Sequence, residues 1–277
     1  MFTRRVRVAA FAACGLFWSS VALAQVPASA WSADGATGSL ALVAAETDAS
    51  GVTFTFKNVT QKAITALVVS RGNVDSAVDF FESEAPKDLP PGESYRLRSG
   101  PNIDRAASDM QIVHIRAVLF QDGTTDGSTQ HVNLINGRRA GRILEQERIR
   151  QILERPVAGH VGPAGIEALA EELGKLPASE DDALSSVSGV QVAGLSADGI
   201  RNGDRMARIG FRGGVSTARE DALFKLQQLK ALPGAANAGV ANGGAQDLFL
   251  SELRKTYERL AARNAAVSGT LGARRQQ

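Results

Sequence analysis

Near residue 132 the spacing of the apolar residues changes, and no single type of element accommodates both patterns. Before it, Val52, Phe54 and Phe56 alternate with Thr53, Thr55 and Lys57, the period of two shown by a strand with one buried face. The alternation returns from Met110 to Phe120, with Val113, Ile115, Ala117 and Leu119 on one side. His114 and Arg116 take the other side, which the pattern assigns to solvent. A β-branched run, Ala63 to Val69, follows the first strand after the polar stretch Asn58 to Lys62, a length suited to a hairpin. Shorter runs at Ser39–Ala45, Ala77–Phe81 and Ser94–Leu97 bring the count to six or seven strands. Pro90-Pro91-Gly92, Asp122-Gly123 and Asp126-Gly127 separate them with turn chemistry. Such spacing predicts an antiparallel β-sandwich over residues 36–132.

Beyond Leu134 the period is helical. Ile143, Leu144, Ile149, Ile152 and Leu153 sit at helix spacing among arginines and glutamates until Pro156 stops the run. Pro163 opens a second helix carrying Ile166, Leu169 and Leu173, with Gly174 and Pro177 at its end. Thr217 and Glu220 form a capping box ahead of Leu223, Leu226 and Leu229, so the glycine-rich Gly210–Gly214 reads as a bend before that helix. Leu250, Leu253, Tyr257 and Leu260 line a last helix. The expected organisation is an α+β multidomain chain: leader 1–24, disordered segment 25–35, sandwich 36–132, helical region 133–232, flexible linker 233–245, terminal helix 246–265 and disordered tail 266–277.

Arg4, Arg5 and Arg7 precede an apolar run, Val8 to Trp18, too short to span a bilayer. Ala22-Leu23-Ala24 then fits a signal-peptidase site, with cleavage expected between Ala24 and Gln25. Cleavage removes Cys14, the one cysteine, so the exported chain forms no disulfide. It also removes three of the 31 basic residues, leaving 28 against 29 acidic ones, and the small positive excess is no argument for nucleic acid. Abundant alanine and arginine, scarce lysine and no disulfide suggest a GC-rich bacterium and a periplasmic or secreted location. There the sequon Asn58-Val59-Thr60 is most simply a strand end.

The run Gly51-Val-Thr-Phe-Thr-Phe-Lys-Asn-Val-Thr-Gln-Lys-Ala-Ile-Thr-Ala-Leu-Val-Val-Ser70, with Leu89-Pro-Pro-Gly-Glu93 after it, resembles bacterial extracytoplasmic immunoglobulin-like modules. The resemblance covers residues 36 to 130. It implies an antiparallel immunoglobulin-like β-sandwich followed by an α-helical region, and an adhesive, spacer or binding role. The cysteine and tryptophan hallmarks of antibody domains are absent from the stretch.

Reactive constellations are sparse. His114, His131 and His160 have no metal-pair spacing, and the mature chain has no Gly-x-Ser-x-Gly elbow, phosphate loop or thiol. Asp122 and Asp126 lack the alternating ligands of a calcium loop and read as a hairpin tip. Glu180, Asp181 and Asp182 read as a helix start. Arg138, Arg139 and Arg142 crowd one helix at a density that would clamp anionic groups of an envelope polymer. The interspersed Glu145, Glu147 and Glu154 favour a solvated, salt-bridged face instead.

These readings point to an exported, non-enzymatic envelope protein that needs no cofactor. Its sandwich binds or spaces, and its single-stripe helices dock an envelope polymer, another envelope protein or a second copy, with no transmembrane segment after cleavage. The alternative is an envelope hydrolase acting on glycan or peptide through carboxylates assembled by folding, with Asp79, Glu82 and Glu84 the nearest candidates.

Overall fold

The computed structural model describes residues 32–35, 38–48, 51–71, 74–80, 88–99, 112–155, 163–176, 200, 204–230 and 243–274. They form strands β1 (Ser32–Gly35), β2 (Leu40–Asp48), β3 (Gly51–Asn58), β4 (Ile64–Arg71), β5 (Val74–Asp79), β6 (Ser94–Ser99), β7 (Ile112–Phe120) and β8 (Thr125–Gly127). Helices α1 (Thr129–Leu153), α2 (Pro163–Gly174), α3 (Arg205–Lys230) and α4 (Gly243–Arg274) follow. Two sheets result. The smaller is antiparallel, in the order β2-β3-β6. The larger runs β5-β4-β7, also antiparallel, and the second edge of β7 is shared by β8 against Ala117–Leu119 and by β1 against Ile112–Ile115.

Three expectations change at this level. Ser32–Gly35 belongs to the segment expected to be disordered, yet forms β1 and pairs in parallel with β7, so the larger sheet is mixed. The connection from Asn58 to Lys62 is no hairpin turn, because it carries the chain from the small sheet to the large one. Its anchor is the fully buried Asn58 at the end of β3. The Asn58 amide donates to the carbonyls of Lys62 (2.8 Å) and Leu89 (2.9 Å), while its Oδ1 accepts from the Thr60 N–H (3.0 Å) and hydroxyl (2.8 Å). Every donor and the acceptor of that side chain is thus occupied, and the sequon is a strand end. Finally, Thr125–Gly127, expected to be turn, is the short strand β8; Gly123 and Gly127 beside Asp122 and Asp126 do adopt positive φ, 81° and 99°. Pro91 and Gly92 make a second tight turn as expected, with Gly92 at φ 79° and the Glu93 N–H donating to Pro90 O at 3.2 Å.

Val52, Phe54 and Phe56 of the small sheet meet Leu67, Val69, Val113, Ile115 and Val118 of the large one in a shared core. The opposite face of the large sheet is also covered: Ala66, Val68, Ala117 and Leu119 pack with Val132, Leu134 and Ile135 of α1. Double coverage explains why β4 reads as an unbroken run without alternation, and why six of its first seven residues are apolar or alanine or threonine. The chain is therefore layered as small sheet, large sheet, helices. Because α1 starts at Thr129 and its first two turns carry the sheet's cover, the expected boundary at residues 132/133 falls inside this interface.

From His131 to Arg150, α1 has no exposed residue. It lies parallel to α3 at backbone contact. A Cβ added to Gly137 or Gly141 would collide with the carbonyl oxygens of Ala207 or Phe211, and one added to Gly210 or Gly214 with those of Leu134 or Arg138. The expected bend at Gly210–Gly214 does not occur; α3 runs through it, because these glycines serve proximity rather than turning. Ser216, one residue before the expected cap, instead donates to Glu220 inside the helix at 2.7 Å. Near the other end of α1, Ile149, Ile152 and Leu153 form a separate core with Ile166, Leu169 and Leu173 of α2, Leu226 and Leu229 of α3, and Leu250, Leu253, Tyr257 and Leu260 of α4. α2 keeps its expected limits at Pro163 and Gly174, whereas α4 is helical beyond both ends of 246–265, into the segments expected to be linker and tail.

Candidate functional site: the seam between α1 and β5

The outward side chains of β5 at Asp75, Ala77 and Asp79 are two residues apart, and His131, Ile135 and Arg139 of α1 are four apart. A strand advances about 6.6 Å in two residues and a helix about 6 Å in four. The two elements therefore stay in step, with a polar contact at each end and Ala77 and Ile135 in one buried cluster between them.

At one end Arg139 grips Asp79 with two bonds, Nε to Oδ2 at 2.8 Å and Nη2 to Oδ1 at 2.9 Å. The same Nη2 reaches Thr65 Oγ1 at 3.1 Å and its carbonyl at 3.3 Å. Only 2% of the Asp79 side chain is exposed, so the pair is a desolvated bidentate contact of the kind arginine forms best. Asp88 stands close enough to feel both charges. Burial raises its carboxyl above the ordinary range, Arg139 lowers it and Asp79 raises it. The Arg263 guanidinium of α4 has its pKa lowered chiefly by burial and next by the charge of Arg142, with Asp79 opposing.

At the other end, His131 Nε2 lies 3.4 Å from Asp75 Oδ2. Ser70, almost fully buried, donates to Asp75 Oδ1 and accepts from Arg116 Nε at 2.9 Å. A register shift between Val68 and Val69 opposite Ile115–Ala117 leaves Arg116 as an extra residue, and that bulge points it at Ser70. His114 pairs with Ser70 in the ladder and is half-buried. The face expected to be solvated is instead overlain by the start of α1, a correction with a simple cause: the sheet is covered on both sides. Serine, aspartate and histidine meet here in an order unsuited to nucleophilic catalysis. The carboxylate lies between the other two, so the imidazole is not placed to take the hydroxyl proton.

The three arginines singled out for anion binding have different fates. Arg139 is consumed by Asp79; Arg138 is half-buried, with its carbonyl under Gly214; and Arg142 is also half-buried, its charge opposing that of Arg263. The solvated, salt-bridged face exists only farther along, where Arg150 binds Glu147 at 2.6 Å and also Glu154. Glu145, expected on that face, is fully buried and accepts from Arg219 Nε at 2.7 Å, with Arg148 at 3.4 Å. Arg219 also donates to Leu176 O at 3.0 Å, tying α1, α3 and the end of α2 together. At the β7–β8 tip, Asp122 accepts from the Thr124 N–H at 2.9 Å and binds Lys62 at 2.9 Å. Asp126 accepts from Ser39 Oγ at 2.6 Å. Asp122 thus ties the hairpin tip to the β3–β4 connection, and Asp126 ties β8 to the residue that precedes β2. Ala24, Gln25, Glu82, Glu84, His160 and Glu180–Asp182 lie outside the described residues. Among the described residues no group of three His, Cys, Asp or Glu is arranged to hold a metal, and no helix is long and apolar enough to cross a membrane.

In comparisons with known proteins, the chain matches no family model, no curated protein and no solved structure.

Proposed function

We propose that this chain is an exported, non-enzymatic binding protein of the bacterial envelope, in which an immunoglobulin-like sandwich is held rigid by a helical layer that supplies the docking surface. The strand order supports the sandwich: β2-β3-β6 faces β5-β4-β7-β8, and the chain changes sheets four times, between β1 and β2, β3 and β4, β5 and β6, and β6 and β7, as in Greek-key sandwiches. The observation that carries the functional reading is the use made of the polar groups. Asp79 and Arg139, and Asp75 with His131, join sheet to helix; Glu145 and Arg219 join helix to helix; and Ser70 ties β4 to Asp75 of β5 and Arg116 of β7. Asp79, the described member of the carboxylate cluster in the hydrolase reading, is buried against Arg139, so it favours the binding reading.

Size-exclusion chromatography with light scattering, together with co-sedimentation on purified envelope membranes and wall, tests it on residues 25–277. The expected result is a stable complex with one envelope component or a defined oligomer. A strict monomer that binds no envelope component would overturn it.

A further inference from the structure

Charge is segregated along the two parallel helices. Residues 129–144 of α1 and 205–219 of α3 contain seven arginines and no carboxylate, in a chain whose totals are 31 basic against 29 acidic. Arg139 and Arg219 are committed to Asp79 and Glu145. The exposed share of this charge lies on the outer side of α3, where Arg205, Arg208 and Arg212 face solvent over two turns with Ile209, 46% exposed, among them. The next exposed acidic residue on that helix is Glu220. Asp204, at the edge of the patch, caps α3 by accepting from the Met206 N–H at 3.0 Å and contacts Asn133 Nδ2 at 3.4 Å. Arg205 and Arg208 lie in the first turn of α3, where the positive end of its helix dipole adds to their charge.

We propose that this face of α3 docks on an anionic phospholipid surface, with Arg205, Arg208 and Arg212 meeting headgroup phosphates and Ile209 entering the boundary with the acyl chains. The inference rests on the reading of the chain as an envelope binding protein and names its partner. Guanidinium forks suit phosphate oxygens, and an exposed branched apolar residue within a basic helix face is the composition of interfacial helices. A soluble polyanion would use the arginines and leave Ile209 without a role.

The test uses residues 25–277 and co-sedimentation with vesicles of phosphatidylcholine alone or mixed with phosphatidylglycerol. The expected result is binding to the anionic vesicles only, falling steeply from low to high salt. A cation near such a surface contributes about fivefold in partitioning, so Arg205→Gln/Arg208→Gln/Arg212→Gln should lose about 100-fold. Ile209→Ser should weaken binding at every salt concentration. Circular dichroism and melting temperature of the triple variant are compared with wild type, and Arg205→Gln/Arg208→Gln, which leaves Arg212 in place, should keep both and still lose about 25-fold in vesicle binding. Equal binding by the triple variant, no binding to anionic vesicles, or binding to inorganic polyphosphate that Ile209→Ser leaves unchanged would each overturn the proposal. Defined self-association or binding to another envelope component, without vesicle binding, would overturn it while leaving the broader functional reading in place.

Discussion

Gly213 and Gly214 are neighbours in one helix, and the structure demands opposite responses from them. A Cβ at Gly213 meets nothing within 4 Å, whereas one at Gly214 collides with the carbonyl of Arg138 and crowds the N–H of Arg142. Alanine in a helix interior is worth about 1 kcal/mol over glycine, so Gly213→Ala should stabilise by roughly 0.5–1 kcal/mol. Gly214→Ala gains the same backbone term but must push two helices apart at the level of their main chains. Overpacking typically costs about 1–3 kcal/mol, and rigid backbone on both sides puts this site at the upper end. Separation also weakens the Cα–H to carbonyl contacts along the seam, each about 0.5–1 kcal/mol. The net expectation for Gly214→Ala is destabilisation by about 2–3 kcal/mol. Urea unfolding followed by far-ultraviolet circular dichroism measures both variants against wild type. If Gly214→Ala proved as stable as wild type, the backbone contact between α1 and α3 would be refuted.

Three further outcomes are expected. Arg139→Met leaves Asp79 buried without its partner and should cost about 3–5 kcal/mol, most of it recovered in Arg139→Met/Asp79→Leu; equal losses in the single and double variants, measured by urea unfolding, would contradict the pairing. Asn58→Ala leaves the buried end of β3 without the side chain that joins Thr60, Lys62 and Leu89. The Thr60 N–H loses its acceptor, while Leu89 O keeps the Ile64 N–H and Lys62 O the Thr60 hydroxyl, and thermal melts should show a loss of about 1–3 kcal/mol. The Asp122 carboxyl is held below the ordinary range by the Thr124 hydroxyl, then by Lys62 and the Thr124 N–H. Its contribution is accordingly present above the unfolded value of about 3.9 and is lost as pH falls through the depressed folded value, so Asp122→Asn should be less stable than wild type at neutral pH, and the two should converge in acid.

What could be read from residues alone follows physical range. Period-two alternation found β3 and located β7, and Pro163 with Gly174 delimited α2. It placed Val113, Ile115, Ala117 and Leu119 on one side, whereas the bulge at Arg116 sends the first two to the core between the sheets and the last two to the α1 side. The run Ile64–Arg71 carried a signal that went unused: a strand with seven buried residues in succession announces cover on both faces. Glycines four apart on two helices, at 137 and 141 and at 210 and 214, were likewise visible, but spacing alone does not say whether a glycine turns the chain or admits a neighbour. The pairing of Arg139 with Asp79 spans 60 residues and of Arg219 with Glu145 spans 74, so it was set by tertiary packing and not by local pattern. Arg138, Arg139 and Arg142 are not an exposed anion clamp for that reason, and the exposed arginines are those of α3, spaced more widely in the sequence.

The account stands on the large sheet being finished by α1 and not by solvent. The most direct measurement is a proton–nitrogen correlation spectrum of residues 32–128 expressed without the helices. Stripped of cover over Ala66, Val68, Ala117 and Leu119, and with Asp79 deprived of Arg139, the fragment should give a collapsed spectrum and aggregate. A dispersed spectrum and a cooperative melt from that fragment would contradict the account.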